Sequence, residues 1–244
     1  ISILIIFFYR DYIKNIGKFK IVSFVALGIM LIGAIFSENI AYNVENRLYR
    51  DKIILSEQTQ YQKIVVTKHK DDLRLFINGN IQFSSMDEYR YHEALIHVPM
   101  SSANKRSNVL ILGGGDGLAA REILKYNDVN KITLVDLDKD MVELCRTNND
   151  IVKLNEGSLD NPKLEVVNDD AYKYLENNKT IYDVIIVDLP DPNDENLNKL
   201  YTNIFYRLCS NSLSEDGVMS IQSTSPYYAK EAFWCINKTL ESEG

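Results

Sequence analysis

The chain has 244 residues, a formal net charge of −7, 45% apolar residues, and only 11 glycines and 5 prolines. This composition excludes disordered, collagen-like and low-complexity proteins, and the length suits one full catalytic domain with a smaller part beside it. Nucleic-acid binding normally needs a basic excess, so the acidic balance argues against a DNA or RNA partner and favours a cationic small molecule.

The N-terminal region has the composition of a membrane segment. Residues 21–36 carry no charge and span about 24 Å as a helix, a little less than the ~30 Å hydrocarbon core of a bilayer. We predict a transmembrane helix over 20–37, followed by a linker over 38–52. The hydrophobic residues 1–9 resemble the end of an earlier segment, which favours a fragment of a multi-pass cell-membrane protein. A signal peptide is the alternative.

The charges around this helix leave its orientation open. Lys and Arg before the helix outnumber those just after it by one residue, four against three. Taken alone, this bias puts the preceding loop in the cytoplasm and the following domain outside. We nevertheless expect the catalytic domain to be cytoplasmic. This conflicts with the charge count, so the topology stays open.

Residues 53–84 are predicted to form a small antiparallel β-domain. Strand-like runs at 63–69 and 73–78 are followed by an Asn78-Gly79 turn and a third run at 81–83. Asn-Gly between alternating apolar runs is a strong hairpin signal.

Residues 85–244 are predicted to form a catalytic domain of the α/β class. It begins with a helix that ends at Pro99 and has apolar positions at helical spacing, namely Tyr91, Leu95 and Val98. Near-continuous apolar strands then alternate with helices. The strands are predicted at 108–112, 131–136, 163–167, 182–188 and 217–222. The helices are predicted at 118–126, 138–148, 170–177, 199–213 and 227–241.

Apolar strands that alternate with helices are typical of a doubly wound parallel sheet, covered on both faces. We predict a Rossmann-like fold of the class I methyltransferase type. Ligands of such sheets lie beyond the carboxyl ends of the strands. The segments that follow the strands are 113–117, 136–138, 168–170 and 188–192. The chain ends at Gly244, before the last strands of such domains, so we expect a truncated C-terminus.

The first two strand ends predict an adenosine-type ligand. Four glycines lie in the GGGDG segment, including Gly113 and Gly115, where missing side chains let the backbone approach a ligand. Asp136 ends the next strand, where an acidic side chain typically accepts hydrogen bonds from ribose hydroxyls. Asp116 puts a negative charge inside the glycine loop, which would repel a phosphate or carboxylate and attract an ammonium group. Decarboxylated S-adenosylmethionine has such an ammonium tail.

The segment VDLPDP after the fourth strand holds two carboxylates on a loop that its prolines stiffen. An alkyl amine has a pKa of about 10.4, so it becomes nucleophilic at neutral pH only when another group takes its proton. Asp188, directly at the strand end, is the candidate base, and Asp191 is the candidate ammonium anchor.

From about Leu55 to its end, the sequence resembles the spermidine synthase family of polyamine aminopropyltransferases, and specifically its membrane-anchored bacterial branch. The segments YHEALIHVP, GGGDG and DLPDP occur in the order typical of that family. Further matching segments are YQKIVV, DLDKDMVELC, NDDAYKYL and SIQSTSPYYAKEAFW.

This resemblance implies that putrescine attacks decarboxylated S-adenosylmethionine to give spermidine and methylthioadenosine, with no metal or separate cofactor. It implies that Asp188 is the base. The donor is expected to contact Gln62, Gly113, Gly115, Asp136, Asp170 and Ala171. The amine or the aminopropyl tail is expected to contact Tyr91, His92, Asp116 and Asp191. The resemblance also allows a homodimer.

Two departures from the family pattern stand out. Asp136 replaces the usual Glu at the ribose position, which leaves Asp138 as a substitute, and residues 193–195 replace a common Gly-Pro stretch. The acceptor amine therefore stays open. Tyr91 as plain core, His92 as a helix-face residue without a ligand, and Gln62 as an exposed strand residue also stay open.

Two other functions are compatible with the pattern. One is an N-methyltransferase of a polyamine that uses ordinary S-adenosylmethionine, and the other is a non-catalytic, membrane-tethered polyamine-binding domain. The three cysteines, Cys145, Cys209 and Cys235, lack a CxxC pair and are expected to be reduced core thiols. With only 3 histidines, a zinc cluster is not expected.

Overall fold

The computed structural model describes residues 16–37, 48–192 and 195–243. The chain separates into two compact units, one ending at Ile53 and the other beginning at Ile54.

The first unit contains helix α1, Ile16–Ile35. Its segment Gly17–Ile35 has a mean hydropathy of 2.0 and is apolar and long enough to cross a membrane, by length and composition. A signal sequence has the same properties. The predicted hydrophobic segment at 1–9 and most of the predicted linker lie outside the described residues. One membrane-compatible helix is therefore described, and the multi-pass expectation is unsupported.

The second unit begins with a four-stranded sheet in the order β1-β2-β3-β4. Strands β2, β3 and β4 pair antiparallel in succession. Asn78 and Gly79 connect β3 to β4 with φ angles of 50° and 83°, as a two-residue hairpin turn requires. The strands are β1 Lys52–Gln58, β2 Lys63–His69, β3 Asp72–Ile77 and β4 Asn80–Ser84. The predicted hairpin turn is confirmed.

Helix α2, Glu88–Ser102, continues past Pro99, so the predicted end was wrong. Pro99 has no amide to donate to the carbonyl four residues earlier, but the helix continues for one more turn, in which the amide of Ala103 donates to the carbonyl of Pro99 at 2.9 Å. Of the three apolar positions at helical spacing, Leu95 alone is buried. Tyr91 and Val98 are exposed, and the buried apolar positions of the helix are Leu95, Ile96, Pro99 and Met100.

A five-stranded parallel sheet follows, in the order β7-β6-β5-β8-β9. Strand β5 has β6 on one side and β8 on the other, so the strand order reverses between β5 and β8. The carboxyl ends of strands at such a switch point form the usual ligand crevice of an open α/β sheet. The strands are β5 Asn108–Gly113, β6 Lys131–Asp136, β7 Leu164–Asn168, β8 Tyr182–Asp188 and β9 Leu213–Ile221. The predicted Rossmann-like fold class is confirmed.

The helices between these strands differ from prediction mainly at their ends. The helix predicted at 118–126 ends at Ile123, and the one predicted at 199–213 starts at Asn203, because the Thr202 side chain accepts from the Phe205 amide at its start. The helices are α3 Leu118–Ile123, α4 Lys139–Thr147, α5 Asn149–Asn155, α6 Ala171–Asn177, α7 Glu195–Asn198, α8 Asn203–Asn211 and α9 Lys230–Glu241. Two 3-10 turns are Ser158–Asp160 and Lys199–Tyr201.

Alternate residues of β5 enter two separate apolar clusters, one on each face of the parallel sheet. Val109 and Ile111 belong to one cluster and Leu110 and Leu112 to the other, and all four are fully buried. This explains the uninterrupted apolar strand sequence. Cys145 and Cys209 are buried, one in each cluster. Cys235 is exposed, so its predicted core position was wrong.

Candidate active site

The glycine loop between β5 and α3 lies against the end of β8. Gly113 has a φ of +86°, and a Cβ there would lie 2.1 Å from the backbone oxygen of Asp188. The amide of Gly114 donates to that same oxygen at 3.1 Å. No other residue fits at position 113, because both the left-handed backbone and the close approach require glycine.

The loop also fixes the carboxylate that ends β6. Gly115 donates its amide to Oδ2 of Asp136 at 3.0 Å, and the amide of Asp138 donates to Oδ1 at 2.9 Å. A Cβ on residue 115 would lie 2.6 Å from Oδ2. Burial raises the pKa of Asp136 to about 6. The structure thus brings together Gly113, Gly115 and Asp136, three of the residues expected to contact the donor.

Asp138 is not a free substitute for Asp136. Its side chain is 3% exposed. Oδ1 accepts from the amides of Asp140 and Met141 and caps helix α4, while Oδ2 accepts from the hydroxyl of Thr59 at 2.6 Å. Asp138 is more deeply buried than the partly exposed Asp136 and binds within the fold, which does not favour it at the ribose position.

Thr59 connects the small sheet to this strand end and was missed by sequence reasoning. Besides donating to Asp138, its Oγ1 accepts from the amide of Gln62 at 3.0 Å. The half-buried Gln62 is therefore held in the β1–β2 loop next to the end of β6. A hydroxyl residue three positions before Gln62 is typical of a local side-chain turn, which was the available signal.

Asp170 begins helix α6 at the end of β7. Its Oδ1 accepts from the amide of Tyr172 at 2.9 Å, and its Oδ2 pairs with the ammonium group of Lys199. Burial works to raise the pKa of Asp170, but the contact with Lys199 outweighs it and lowers the pKa. Ala171 is buried directly behind it. Lys199 is a second residue that the sequence analysis did not identify.

Tyr91 of α2 and Asp188 of β8 are in direct contact. The tyrosine hydroxyl donates to Oδ1 of Asp188 at 2.5 Å. Although 38% of Tyr91 is exposed, loss of water around its hydroxyl and the charge of Asp188 raise the pKa of Tyr91 above its ordinary value, so the hydroxyl remains a donor. Tyr91 is therefore not plain core: it places a fixed donor on the expected base.

Asp116 is held at the tip of the glycine loop. Its Oδ1 accepts from the amide of Leu118 at 2.9 Å, and its carbonyl accepts from the side chain of the fully buried Asn155 at 2.9 Å. Burial raises the pKa of Asp116 to about 6; the charge of His92 opposes this rise and that of Asp188 adds to it. Asn155, from the unpredicted helix α5, was missed.

Asp191 is held by a residue at the end of the neighbouring strand. The amide group of Gln222 donates to Oδ1 of Asp191 at 2.6 Å. The hydroxyl of Tyr201 contacts Oε1 of Gln222 at 3.2 Å and the carbonyl of Pro190 at 2.8 Å. Gln222 and Tyr201 were not identified in sequence, although Gln222 directly follows a strand. The departure at 193–194 lies outside the described residues.

His92 of α2 is 2% exposed. Its Nδ1 lies 2.8 Å from Oε2 of Glu88, one turn earlier in α2. Glu88 in turn receives two hydrogen bonds from the guanidinium of Arg121. The predicted residue thus belongs to a buried polar chain.

The strand-end residues form two groups. The β6–β7 cluster contains Gln62, Asp136, Asp138 and Asp170, and the β5–β8 cluster contains Tyr91, His92, Asp116, Asp188 and Asp191. The side-chain hydrogen-bond partners of the three β5–β8 carboxylates are a backbone amide, a tyrosine hydroxyl and a glutamine amide. Across residues 48–192 and 195–243, no Lys or Arg forms an ion pair with any of the three. The cluster can therefore attract a cation.

Comparisons with known proteins show the family of this chain. The family model described as "Spermine/spermidine synthase domain" matches residues 88–243. The chain is 47% identical over 243 residues to a polyamine aminopropyltransferase of Oceanobacillus iheyensis, covering 99% of this chain and 47% of that protein. It is 48% identical over 222 residues to one of Leptospira interrogans, covering 91% and 45%. The chain spans about half the length of these curated relatives.

Solved structures show the same fold. A spermidine synthase in complex with the transition state analogue AdoDATO matches with a TM-score of 0.74 and 33% identity, covering 78% of this chain and 64% of that one. The spermidine synthase of Thermotoga maritima matches with a TM-score of 0.72, with the same identity and coverage. The chain belongs to the spermine/spermidine synthase family.

Proposed function

We propose that this chain is a polyamine aminopropyltransferase of the spermidine synthase type. It transfers the aminopropyl group of decarboxylated S-adenosylmethionine to putrescine, giving spermidine and methylthioadenosine. The observation that carries this proposal is the β5–β8 cluster, where three carboxylates lie at a glycine loop with neutral hydrogen-bond partners. Both the donor tail and the acceptor are cations, and this cluster supplies their counter-charges.

In this proposal the adenosyl half of the donor lies on the β6–β7 cluster. Asp136 accepts from the ribose hydroxyls, the glycines of the loop let the ligand approach the backbone, and Gln62 contributes an amide. Asp170 and Ala171 contact the adenine. For this contact, Lys199 must move away from Asp170, or Asp170 must bind Lys199 and the adenine together. The aminopropyl tail then runs toward Asp116, whose negative charge attracts its ammonium.

Asp188 acts as the base in the transfer. It takes a proton from the attacking ammonium of putrescine, and the resulting amine attacks the methylene next to the sulfonium. The new N–C bond forms as the C–S bond breaks. The electron pair of the C–S bond returns to sulfur, which leaves neutral methylthioadenosine. Asp191 anchors the acceptor amine, while Tyr91 orients Asp188 through its hydrogen bond. The substrate needs no separate cofactor, since the sulfonium is itself the activated leaving group.

A product assay tests this proposal. The chain in detergent is given putrescine with either decarboxylated or ordinary S-adenosylmethionine, and the products are resolved by mass. We expect spermidine and methylthioadenosine from the decarboxylated donor alone. Methylated putrescine from the ordinary donor would identify an N-methyltransferase instead. Saturable spermidine binding without any product would identify a binding domain. Cadaverine, agmatine and spermidine as alternative acceptors determine the amine specificity.

We also propose that residues 20–37 attach this chain to the cell membrane, with residues 53–84 and 85–244 forming the two parts of a cytoplasmic catalytic region. Support comes from the apolar helix α1. In membrane fractions washed at alkaline pH, the chain should stay with the lipid, and the double variant Leu27→Arg and Leu31→Arg should be released. Recovery of a chain cleaved after this helix would indicate a signal sequence.

A further inference from the structure

A buried group of charges lies behind the β5–β8 cluster, and the mechanism above does not use it. Glu88, Arg121 and Glu122 are 6%, 8% and 1% exposed. Arg121 lies between the two glutamates: its Nη atoms bond Glu88 and its Nε donates to Glu122 at 2.9 Å. Burying a charge is costly unless it is paired. Three charged side chains in one buried place therefore call for an explanation.

Arg121 fixes the carboxylate of Glu88 through both of its oxygens. Nη1 donates to Oε1 at 2.9 Å, and Nη2 donates to Oε2 at 3.0 Å. Nη1 also donates to the carbonyl of Leu154 at 2.7 Å. This two-point contact leaves Glu88 little freedom to rotate.

The contacts of His92 determine which ring nitrogen carries its proton. Nδ1 lies 2.8 Å from Oε2 of Glu88 and 3.0 Å from the carbonyl oxygen of the same residue. Both are acceptors, so Nδ1 must carry a hydrogen and donate it. Within the described part of the chain, every hydrogen bond of this ring involves Nδ1. Nε2, on the opposite side of the ring, is therefore left for a ligand.

We propose that Glu88 is a positioning residue, which holds His92 in the tautomer protonated at Nδ1 so that Nε2 accepts a hydrogen bond from the acceptor amine. Arg121 in turn positions Glu88. This inference rests on the proposed function, because it assigns a role within the same amine site. It explains why a charged pair is buried directly behind a histidine of the β5–β8 cluster.

The charges around His92 come from several elements. Glu88 belongs to its own helix α2, Arg121 to α3, Asp116 to the glycine loop and Asp188 to the end of β8. Burial works to lower the pKa of His92, but the bond to Glu88 and the charges of Asp116 and Asp188 raise it. A second proton on Nε2 converts this acceptor into a donor. Amine affinity should therefore fall as the pH decreases through the pKa of His92.

The substitution Glu88→Gln changes the tautomer without changing the size of the side chain. An amide has one oxygen, and Arg121 needs it as an acceptor. The NH2 group then faces Nδ1 of His92 and repels a proton there, and the backbone carbonyl of Glu88 at 3.0 Å is left as the weaker acceptor, so the ring proton shifts toward Nε2. Glu122→Gln is the matched control, because it removes a buried carboxylate from the same guanidinium but does not touch His92.

The first measurement is the tautomer itself, read from 1H–15N correlations of the full chain in detergent at an alkaline pH where the ring is neutral. The chain has only 3 histidines, so assignment needs few variants. We expect the Nδ1-protonated form of His92 in the wild type and in Glu122→Gln, and the Nε2-protonated form in Glu88→Gln. The Nε2-protonated form in the wild type would overturn the proposal without any variant or any activity.

The second measurement is steady-state kinetics with putrescine and decarboxylated S-adenosylmethionine. Losing one hydrogen bond to a charged ligand should raise the KM for putrescine about tenfold or more in Glu88→Gln, with the KM for the donor unchanged. Glu122→Gln should stay within about twofold of the wild type, and Glu88→Asp, which keeps a carboxylate, should recover part of the loss. In a His92→Gln background, Glu88→Gln should have no further effect on the KM for putrescine.

Equal effects of Glu88→Gln and Glu122→Gln on that KM would overturn the proposal in favour of charge balance alone. An inactive wild type would contradict the proposed function, yet the tautomer measurement would still decide the role of Glu88. If Glu88→Gln does not fold, the proposal is tested by the His92 tautomer of the wild type and by the KM of Glu88→Asp for putrescine.

Discussion

The two clusters at the strand ends differ in what already neutralises their carboxylates. In the β6–β7 cluster, Asp138 caps a helix and binds Thr59, and Asp170 pairs with Lys199. Asp136 is held by two backbone amides. The difference is the lysine: in the β5–β8 cluster Asp188 and Asp191 accept from neutral side chains, and no Lys or Arg of the described residues pairs with either.

This difference matches the two halves of the proposed donor and acceptor. A ribose and an adenine are neutral, so their site needs well-placed acceptors and little net charge. An ammonium group needs negative charge that no protein cation has already cancelled. Lys199 therefore pairs with a carboxylate of the β6–β7 cluster, and the β5–β8 carboxylates keep their charge for a ligand. Substitutions in each cluster test whether the two sites act separately.

Asp188→Asn should have the largest effect. Removing the proton acceptor while keeping the shape should lower kcat about 10²–10⁴-fold, with a much smaller change in the KM for putrescine. Steady-state kinetics at saturating donor measure both constants. Near-normal turnover would move the role of base to another residue.

Asp191→Asn should act mainly on amine binding. It removes a counter-charge but keeps a side chain that can contact Gln222, so the KM for putrescine should rise about tenfold or more while kcat falls less than in Asp188→Asn. Steady-state kinetics of Asp188→Asn and Asp191→Asn measure the change in kcat and in the KM for putrescine for each variant. If both variants lowered kcat equally, the division into a base and an anchor would be wrong.

Asp136→Asn should affect the other cluster alone. The KM for decarboxylated S-adenosylmethionine should rise about tenfold or more, because the Asn side chain is a weaker acceptor and its NH2 group must face one of the two backbone amides that Asp136 binds. The KM for putrescine should not change. Asp169→Asn, an exposed neighbour at the end of β7, serves as the control. A matching rise in the KM for putrescine would show that the two clusters do not act separately.

Asp116→Asn removes the counter-charge of the donor tail, and its effect on folding stability, the smallest effect considered, should be a gain. Burial raises the pKa of Asp116 from 3.8 to about 6, so the folded chain binds more protons than the unfolded chain between these values. Stability is therefore lost as the pH rises through this window, by at most about 3 kcal/mol. The variant avoids this loss, so its Tm should exceed that of the wild type by a few degrees at pH 7.

The pH dependence of the Asp116→Asn effect provides its check. The gain in Tm should shrink as the pH falls below about 6 and vanish near pH 4. The wild-type carboxyl is then protonated and, like the Asn side chain, uncharged. Thermal unfolding of both chains in detergent across this range measures the effect. The exposed Asp71→Asn is the control. A gain that persists unchanged at pH 4 would show that burial of the charge is not its cause.

Local sequence patterns predicted most of the scaffold. The apolar runs of β5, β6 and β8 identified a parallel sheet, because strands covered on both faces need apolar residues at every position. They also identified the strand ends, and with them Asp136 and Asp188. The helix ends were less predictable, as the continuation of α2 past Pro99 shows, because one hydrogen bond decides where a helix stops.

Which residues lie at the ligand edge could be predicted from the sequence, because the carboxyl end of a parallel strand follows directly from its apolar pattern. How their charges are balanced depends on tertiary contacts. Thr59 bonds a residue 79 positions away, Arg121 bonds Glu88 across 33, and Gln222 bonds Asp191 across 31. Such partners have no periodicity along the chain. They are selected by packing, which places distant side chains within hydrogen-bond distance and leaves each buried polar group to find its partner there.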